Sequence, residues 1–369
     1  MAARGRGAGL RWAAVGALAA VLVALPPVIG ALPASDADVP AAELRAAVLA
    51  SDAVGFSGYA VSAGGLSLPV TDQLTSVADL FSDRTTMRIW WRGPLDNRVD
   101  VVTAAGETGT HRDATGTWTW EYEAATATRS SLRPLDLPAP PDLLPNALGR
   151  RLLSEATDGE LARIGARTVA GRDALGVRLT PAEEATSVER VDVWVDPDSG
   201  IPLQVEVFAK EAERPALDTR FLDLEVAVPP SEVTGFTPPP AAWVRQGQQA
   251  DVVLEAGRRI RPVALPAQLA GLDRRQLAGV PPGIGLYGRG VTLLAVAPVP
   301  FRLANGLRAT LARSPEAVTD ELGTRIAAGP VSLMVVQPSG EGPYVLTGTV
   351  TPDALAAAAA ELPELAAAR

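Results

Sequence analysis

Cysteine is absent from the sequence, which excludes disulfides, thiolate metal sites and a cysteine nucleophile. The same absence excludes a lipidated N-terminal cysteine, so the chain is not itself a lipoprotein. Histidine occurs once, at His111, and any catalytic triad or imidazole metal centre would have to be built on it. His111 sits in a polar run of Thr, Arg and Asp that reads as a hairpin loop, with no nucleophile spaced to use it. The expectation is a protein that is not an enzyme. Lysine also occurs once, at Lys210, and arginine supplies the remaining positive charge, a bias that reads as genome composition rather than as a site. The formal net charge of −9 argues against a nucleic-acid surface.

Three stretches mimic chemistry without the context for it. Gly283-Ile284-Gly285-Leu286-Tyr287-Gly288 spells GxGxxG, but Pro281-Pro282 precede it and a strand follows, so no helix N-terminus awaits a pyrophosphate. A glycine-rich turn is the better reading. Asp192, Asp196 and Asp198 resemble calcium ligands, yet hairpin turns favour Asp for ordinary reasons. Glu183-Glu184 reads as a solvated turn. No metal and no cofactor are expected.

Hydrophobic content of 47% and charge of 20% are globular values. The 32 prolines and 34 glycines imply many turns, which suits an all-β or α+β chain better than a helical bundle. A length of 369 residues is enough for two domains. Residues 1–35 read as a signal peptide or an N-terminal membrane anchor. Arg4, Arg6 and Arg11 stand before an apolar run from Trp12 to Leu25, which Pro26-Pro27 interrupt. The run is short for a spanning helix, so the protein is expected outside the cytoplasm, secreted or held at the membrane.

The most patterned stretch runs from Ser187 to Phe208. Val191, Val193 and Val195 alternate with polar neighbours, Asp196-Pro197-Asp198-Ser199-Gly200 supplies a turn, and Leu203, Val205 and Val207 resume the alternation. This predicts a long hairpin. Further strands put Met87, Ile89 and Trp91 on one face, then Val99 with Val101, then Trp118, Trp120 and Tyr122. In residues 220–226, Phe221 is expected on the face opposite Leu222 and Leu224. Helical spacing appears over residues 40–51 and 146–155. The Pro-rich crossover 133–145 joins the strand runs. Residues 36–240 therefore read as one α+β domain, a large antiparallel sheet with helices over one face. Residues 255–369 read as a smaller α+β domain, with a broken helix near Leu269, Leu272 and Leu277, three strands, and a helix over 352–362. The apolar stripes have two readings: ordinary core under the helices, or the wall of a hollow the helices leave partly empty.

The segments GTWTWEY, VDVWVDPDSGIPLQVEVF and GFSGYAV resemble the LolA/LppX/RseB (MucB) lipoprotein-carrier-like superfamily, the hairpin most closely the N-terminal domain of RseB. The resemblance covers roughly residues 40–228, and the tail is weakly similar to the small C-terminal domain of RseB. It implies an unclosed half β-barrel with a helical lid and no catalysis. Its apolar cavity would be lined by Met87, Ile89, Trp91, Val99, Val101, Trp118, Trp120, Tyr122, Val191, Val193, Val195, Leu203, Val205, Leu222 and Leu224. The partner implied is a lipid or lipoprotein acyl chain; an RseB-like regulator would instead hold a membrane-anchored regulator of an envelope-stress sigma/anti-sigma system.

Overall fold

The computed structural model describes residues 34–64, 84–104, 106–131, 139–247, 264–276, 283–336 and 342–363. Nearly all of the expected export segment, the linking segment 74–81, Leu277 and half of the Pro-rich crossover lie outside them.

Two strand meanders join into one sheet. The first contains β1 (Phe56–Gly64), β2 (Arg84–Gly93), β3 (Asp96–Thr103), β4 (Gly106–Asp113), β5 (Gly116–Glu121) and β6 (Thr126–Ser130). The second contains β7 (Leu161–Val169), β8 (Arg172–Leu179), β9 (Val188–Val195), β10 (Pro202–Ala209) and β11 (Leu217–Glu225). β11 returns beside β1, and β12 (Trp243–Gln246) adds to β6, giving twelve strands in the order β12-β6-β5-β4-β3-β2-β1-β11-β10-β9-β8-β7. The sheet is open, with β12 and β7 as its edges. It is antiparallel except that β12 runs parallel to β6, which the sequence pattern did not indicate.

Helix α1 (Ala41–Ala50) precedes the sheet and α2 (Pro145–Leu153) falls between the meanders. Pro145 opens α2 where its missing N–H costs nothing. The single turn α3 (Ser231–Thr234) follows β11. A separate C-terminal unit contains a six-stranded sheet of β15 (Gly285–Arg289), β16 (Thr292–Pro298), β17 (Val318–Asp320), β18 (Gly323–Ala328), β19 (Val331–Val336) and β20 (Tyr344–Gly348). Its order is β15-β16-β20-β19-β18-β17, and α4 (Phe301–Leu311) and α5 (Pro352–Glu361) pack on it. Thr351 caps α5 by accepting the Ala354 N–H through its hydroxyl at 3.2 Å. The chain is thus α+β, with a broad open sheet and a smaller C-terminal sheet.

Several expectations need correction. His111 is not in a loop but inside β4, 5% exposed. Residues 268–273 form no helix: β13 (Gln268–Leu269) and β14 (Leu272–Asp273) make a tight hairpin, since Ala270 and Gly271 take φ of 48° and 76°. The glycine motif at 283–288 runs into β15 rather than remaining a turn. Within β11 a bulge separates two pairings, Tyr59 with Asp223 and Ala60 with Phe221, so Leu222 is the extra residue. The bulge resets the alternation. Phe221 and Leu224 share the buried side at 1% and 7% exposure, while Leu222 turns outward at 47%.

The predicted hairpin is β9–β10, with Asp196 accepting from Ser199 Oγ at 2.6 Å in the turn. Gly200 ends that turn with φ +72°, and a Cβ there would lie 2.6 Å from the Ala47 carbonyl oxygen of α1. The turn is therefore the seat of the helix. Gly200→Ala should lower stability by about 1–2 kcal/mol or more, from the left-handed backbone and the close approach of the Ala47 carbonyl together, measured by urea unfolding; an unchanged midpoint would show that the turn is not held in this conformation against α1.

Candidate functional site

Partners across an antiparallel ladder point to the same side, so the register sorts every proposed cavity residue by face. Met87 pairs with Val101, Ile89 with Val99 and Trp91 with Asn97. Phe56, Gly58 and Ala60 continue this face onto β1, Phe221 and Leu224 onto β11. Val205 pairs with Val193, and Val207 with Val191. This inner face therefore gathers Met87, Ile89, Trp91, Val99, Val101, Val191, Val193, Val195, Leu203, Val205 and Leu224. Apart from half-buried Val101, they are buried in one apolar cluster with Leu44 and Val48 of α1 and Leu153 of α2.

The lid sits tightly where it is described. Gly149 of α2 would, with a Cβ, come 2.9 Å from Pro202, so its small size lets the helix touch β10. Arg45 of α1 donates to the Leu153 and Ser154 carbonyls of α2, both at 2.9 Å, fastening the two helices together. The Trp91 indole N–H donates to the Asp52 carbonyl at 3.2 Å. Its ring stacks on Phe56 at 5.9 Å, and Phe56 meets Phe221 edge-on at 5.4 Å. Trp91, Phe56 and Phe221 are buried at 3%, 1% and 1% exposure as part of that cluster.

The same ladder carries Val99 onto Thr110 and Thr119, not onto a tryptophan. Trp118 pairs with His111 and Trp120 with Gly109, so Trp118, Trp120 and Tyr122 stand on the outer face with Leu222. This corrects the expectation that they join Met87, Ile89 and Trp91. What covers them is the chain leaving β11. Arg92 donates to the Pro229 carbonyl, Thr234 Oγ1 donates to Asp96 at 2.6 Å, and His111 Nδ1–H donates to the Thr234 carbonyl at 3.0 Å. Phe236 then packs against His111, Trp118 and Trp120 at centroid distances of 4.7, 5.7 and 5.9 Å. This strap continues into β12. Tyr122 is 40% exposed and accepts from Arg98 at 2.9 Å.

The C-terminal unit docks on three carboxylates, of which the sequence reading placed Glu183 in a solvated turn and Glu155 at the end of a helix. Arg275 makes a two-pronged pair with Glu155, one contact at 3.0 Å. Arg289 does the same with Glu160 at 3.0 and 3.1 Å, and its Nε contacts Glu183 at 2.7 Å. The Gly290 N–H donates to Glu155 at 2.6 Å. Thr186 bridges Val350, and the Ser187 N–H donates to the Thr349 carbonyl at 3.1 Å. Burial would raise the Glu160 carboxyl, but hydrogen bonds from Arg289, Thr157 and Ala182 bring it down to about 2. Arg275 likewise holds Glu155 below its ordinary value. The cavity at this junction is about 10 Å³, room for about one water. No periodicity marks these five charged residues, which explains their absence from the sequence-based site.

No protein-family model and no curated protein sequence matches the chain. Solved structures do. MucB from Pseudomonas aeruginosa, in its complex with MucA, aligns over 89% of this chain and 99% of its own, at 17% identity and a TM-score of 0.51. A complex of MucB with MucA(peri) gives 16% identity, the same coverages and a TM-score of 0.50. The chain shares the MucB fold. A LolA-superfamily protein from Nitrosomonas europaea aligns over 54% of the chain at 12% identity, with a TM-score of 0.24, too loose to add weight.

The likeness to MucB thus takes in both sheets. Among the described residues no cluster of three His, Asp or Glu is placed to hold a metal. Asp192 and Asp196, singled out earlier, are paired with Arg178 at 2.7 Å and Arg172 at 3.2 Å. Among the same residues no helix is long and apolar enough to cross a membrane. On the outer face a shallow cleft of about 450 Å³ lies between Arg167, Gln204, Glu206, Arg220 and Leu222.

The strap's anchor titrates. Burial lowers the His111 imidazole below its ordinary value, opposed by its bond to Thr234; among its charged neighbours Arg98 lowers it further and Asp100 raises it. A depressed value in the folded state contributes stability that is complete above the unfolded value of 6.5 and is lost as pH falls. The melting temperature should therefore drop between pH 7.5 and 5.5, and His111→Asn should flatten that slope. A slope identical in the two proteins would show that the strap is not held through His111.

Proposed function

We propose that this protein is an exported, non-catalytic binding protein that acts by protein–protein contact, as an RseB-like regulator of an envelope-stress sigma/anti-sigma system. The observation that carries this reading is the extent of the likeness to MucB, which runs through the lid-covered sheet and the smaller C-terminal sheet together. A lipid carrier has no need of the second sheet, whereas a regulator held against a partner gains from two surfaces fixed relative to one another. The packing of Trp91, Phe56 and Phe221 also supports a protein whose sheet serves as a scaffold. In the solved complexes MucB is bound to MucA; for this chain we assign the corresponding place to the extracytoplasmic segment of a membrane-anchored regulator. Residues 1–35 would deliver or anchor the protein outside the cytoplasm. Residues 36–240 and 255–369 would be its two domains.

Co-expression with the extracytoplasmic segment of the membrane-anchored regulator encoded beside it should recover the full-length protein in a stoichiometric complex. A chain ending at residue 247, checked for folding by circular dichroism, should be recovered at least about tenfold less, the loss of one hot-spot region. Equal recovery of both would reject the reading.

The second reading is a carrier for lipid or lipoprotein acyl chains, favoured by the largely apolar inner face from β8 to β3, which Thr219 and Asn97 interrupt. Each buried methylene is worth about 0.8 kcal/mol against water and almost nothing against a membrane, so uptake and release need no energy source. Its wall would be Met87, Ile89, Val99 and Val101 beside Trp91, which is the one tryptophan on the inner face among the described residues. Acyl ligand under the lid should quench fluorescence that Trp91→Phe removes. Quenching undiminished in that variant would place the ligand elsewhere, and no quenching in either would end the carrier reading.

A further inference from the structure

The contacts between the two sheets fall in two sets, a backbone ladder of residues 185–187 with 349–351 and a charged cluster at the base of the lid. α2 ends at Leu153, and Glu155 is only two residues beyond it. Glu155 accepts from Arg275 and from the Gly290 N–H, while the Glu155 carbonyl accepts from Arg289 at 3.2 Å. Arg289 also grips Glu160 and Glu183. On the two residues just before Glu155, Arg45 ties α1 to the Leu153 and Ser154 carbonyls. Val291, from the C-terminal unit, belongs to the apolar cluster that contains Leu153 and Leu179 of the first sheet and its lid.

We propose that the C-terminal domain is a lock on the lid: α1 and α2 leave the sheet only when Arg275 and Arg289 let go of Glu155, Glu160 and Glu183. The reason is geometric. Two residues of chain separate the end of α2 from the clamped carboxylate, so the helix cannot swing without pulling on Glu155. The Glu160 side chain is 6% exposed in the docked form, and undocking would strip its guanidinium partner. Undocking would also bare Val291 and Leu179. Lid opening and domain separation are therefore a single event, and their coupling is reciprocal. A ligand that needs the inner face favours the separated form, and a partner that bridges both domains keeps the lid shut. The inference rests on the junction and not on the identity of the partner, so it stands or falls separately from the regulatory reading.

The absence of cysteine gives a clean test. Val205 is fully buried beneath Gly149 of α2, and Leu346 is fully buried in the core of the C-terminal domain. Val205→Cys and Leu346→Cys, each as the sole thiol of the full-length chain, are labelled with an aromatic disulfide reagent. Adding Arg275→Ala with Arg289→Ala should speed labelling at position 205 by at least about tenfold, because local opening rather than global unfolding limits it. Labelling at position 346 should stay as it was. An unchanged rate at 205 overturns the proposal, and so does a parallel rise at both positions, which would mean general destabilisation. Arg289→Lys, which keeps the charge but not the two-pronged contact, should fall between. If the double variant does not fold, the single Lys variant is read by the same outcomes.

Discussion

Side chains alternate across a β-strand, so a sheet twelve strands wide has two large faces, and each apolar stretch of either face needs a cover. Most of this structure answers that constraint. The inner face takes α1 and α2, brought close by the bare backbones of Gly149 and Gly200. The outer face takes the strap from Pro229 to Phe236, pinned by Arg92, Asp96 and His111. The strap then becomes β12 and shields the edge of β6. Only after both faces are dressed does the chain build its second sheet, which returns to hold the loop beneath α2.

The sequence shows the local half of this clearly. A period of two in residues 188–208 gave the central hairpin, and helical spacing gave α1, α2 and α5, because these elements follow from short-range alternation and turn chemistry. Pairing between distant strands is another matter. The expectation for Trp118, Trp120 and Tyr122 assumed that every apolar stripe seeks the same core, but which face a strand buries is set by its register with β4. Leu222 was misplaced by a bulge, which breaks alternation with no signal in composition. His111 looked like a loop residue because its neighbours are polar; in the fold Thr110 is buried opposite Val99 while the imidazole lies under Phe236. α4 was overlooked although Leu303, Leu307 and Leu311 recur at four-residue spacing after Pro300. The charged junction was illegible in principle, since ion pairs between residues over a hundred positions apart leave no periodic trace.

These corrections move the weight of the functional question. Eleven of the fifteen residues proposed as a cavity wall do share a face, and the four that do not are taken up or exposed on the other side. From β8 to β3 the inner face packs Phe56, Trp91 and Phe221 into one apolar cluster with the lid helices. The distinctive chemistry lies between the sheets, where two arginines meet three carboxylates. Exposed ion pairs contribute little, but two-pronged pairs in a partly buried network with backbone donors are the geometry in which arginine–carboxylate contacts do hold surfaces together. A binding protein that must fix two surfaces relative to one another has a use for such a junction.

The most direct measurement is a double-mutant cycle on Arg289 and Glu160, using Arg289→Ala, Glu160→Ala and the combination in chemical unfolding. A shielded, charge-assisted pair that locks the domains should give a coupling free energy above about 1 kcal/mol. Strict additivity of the two substitutions would mean that the pair does not hold the domains together, and the link between lid and C-terminal domain would go with it.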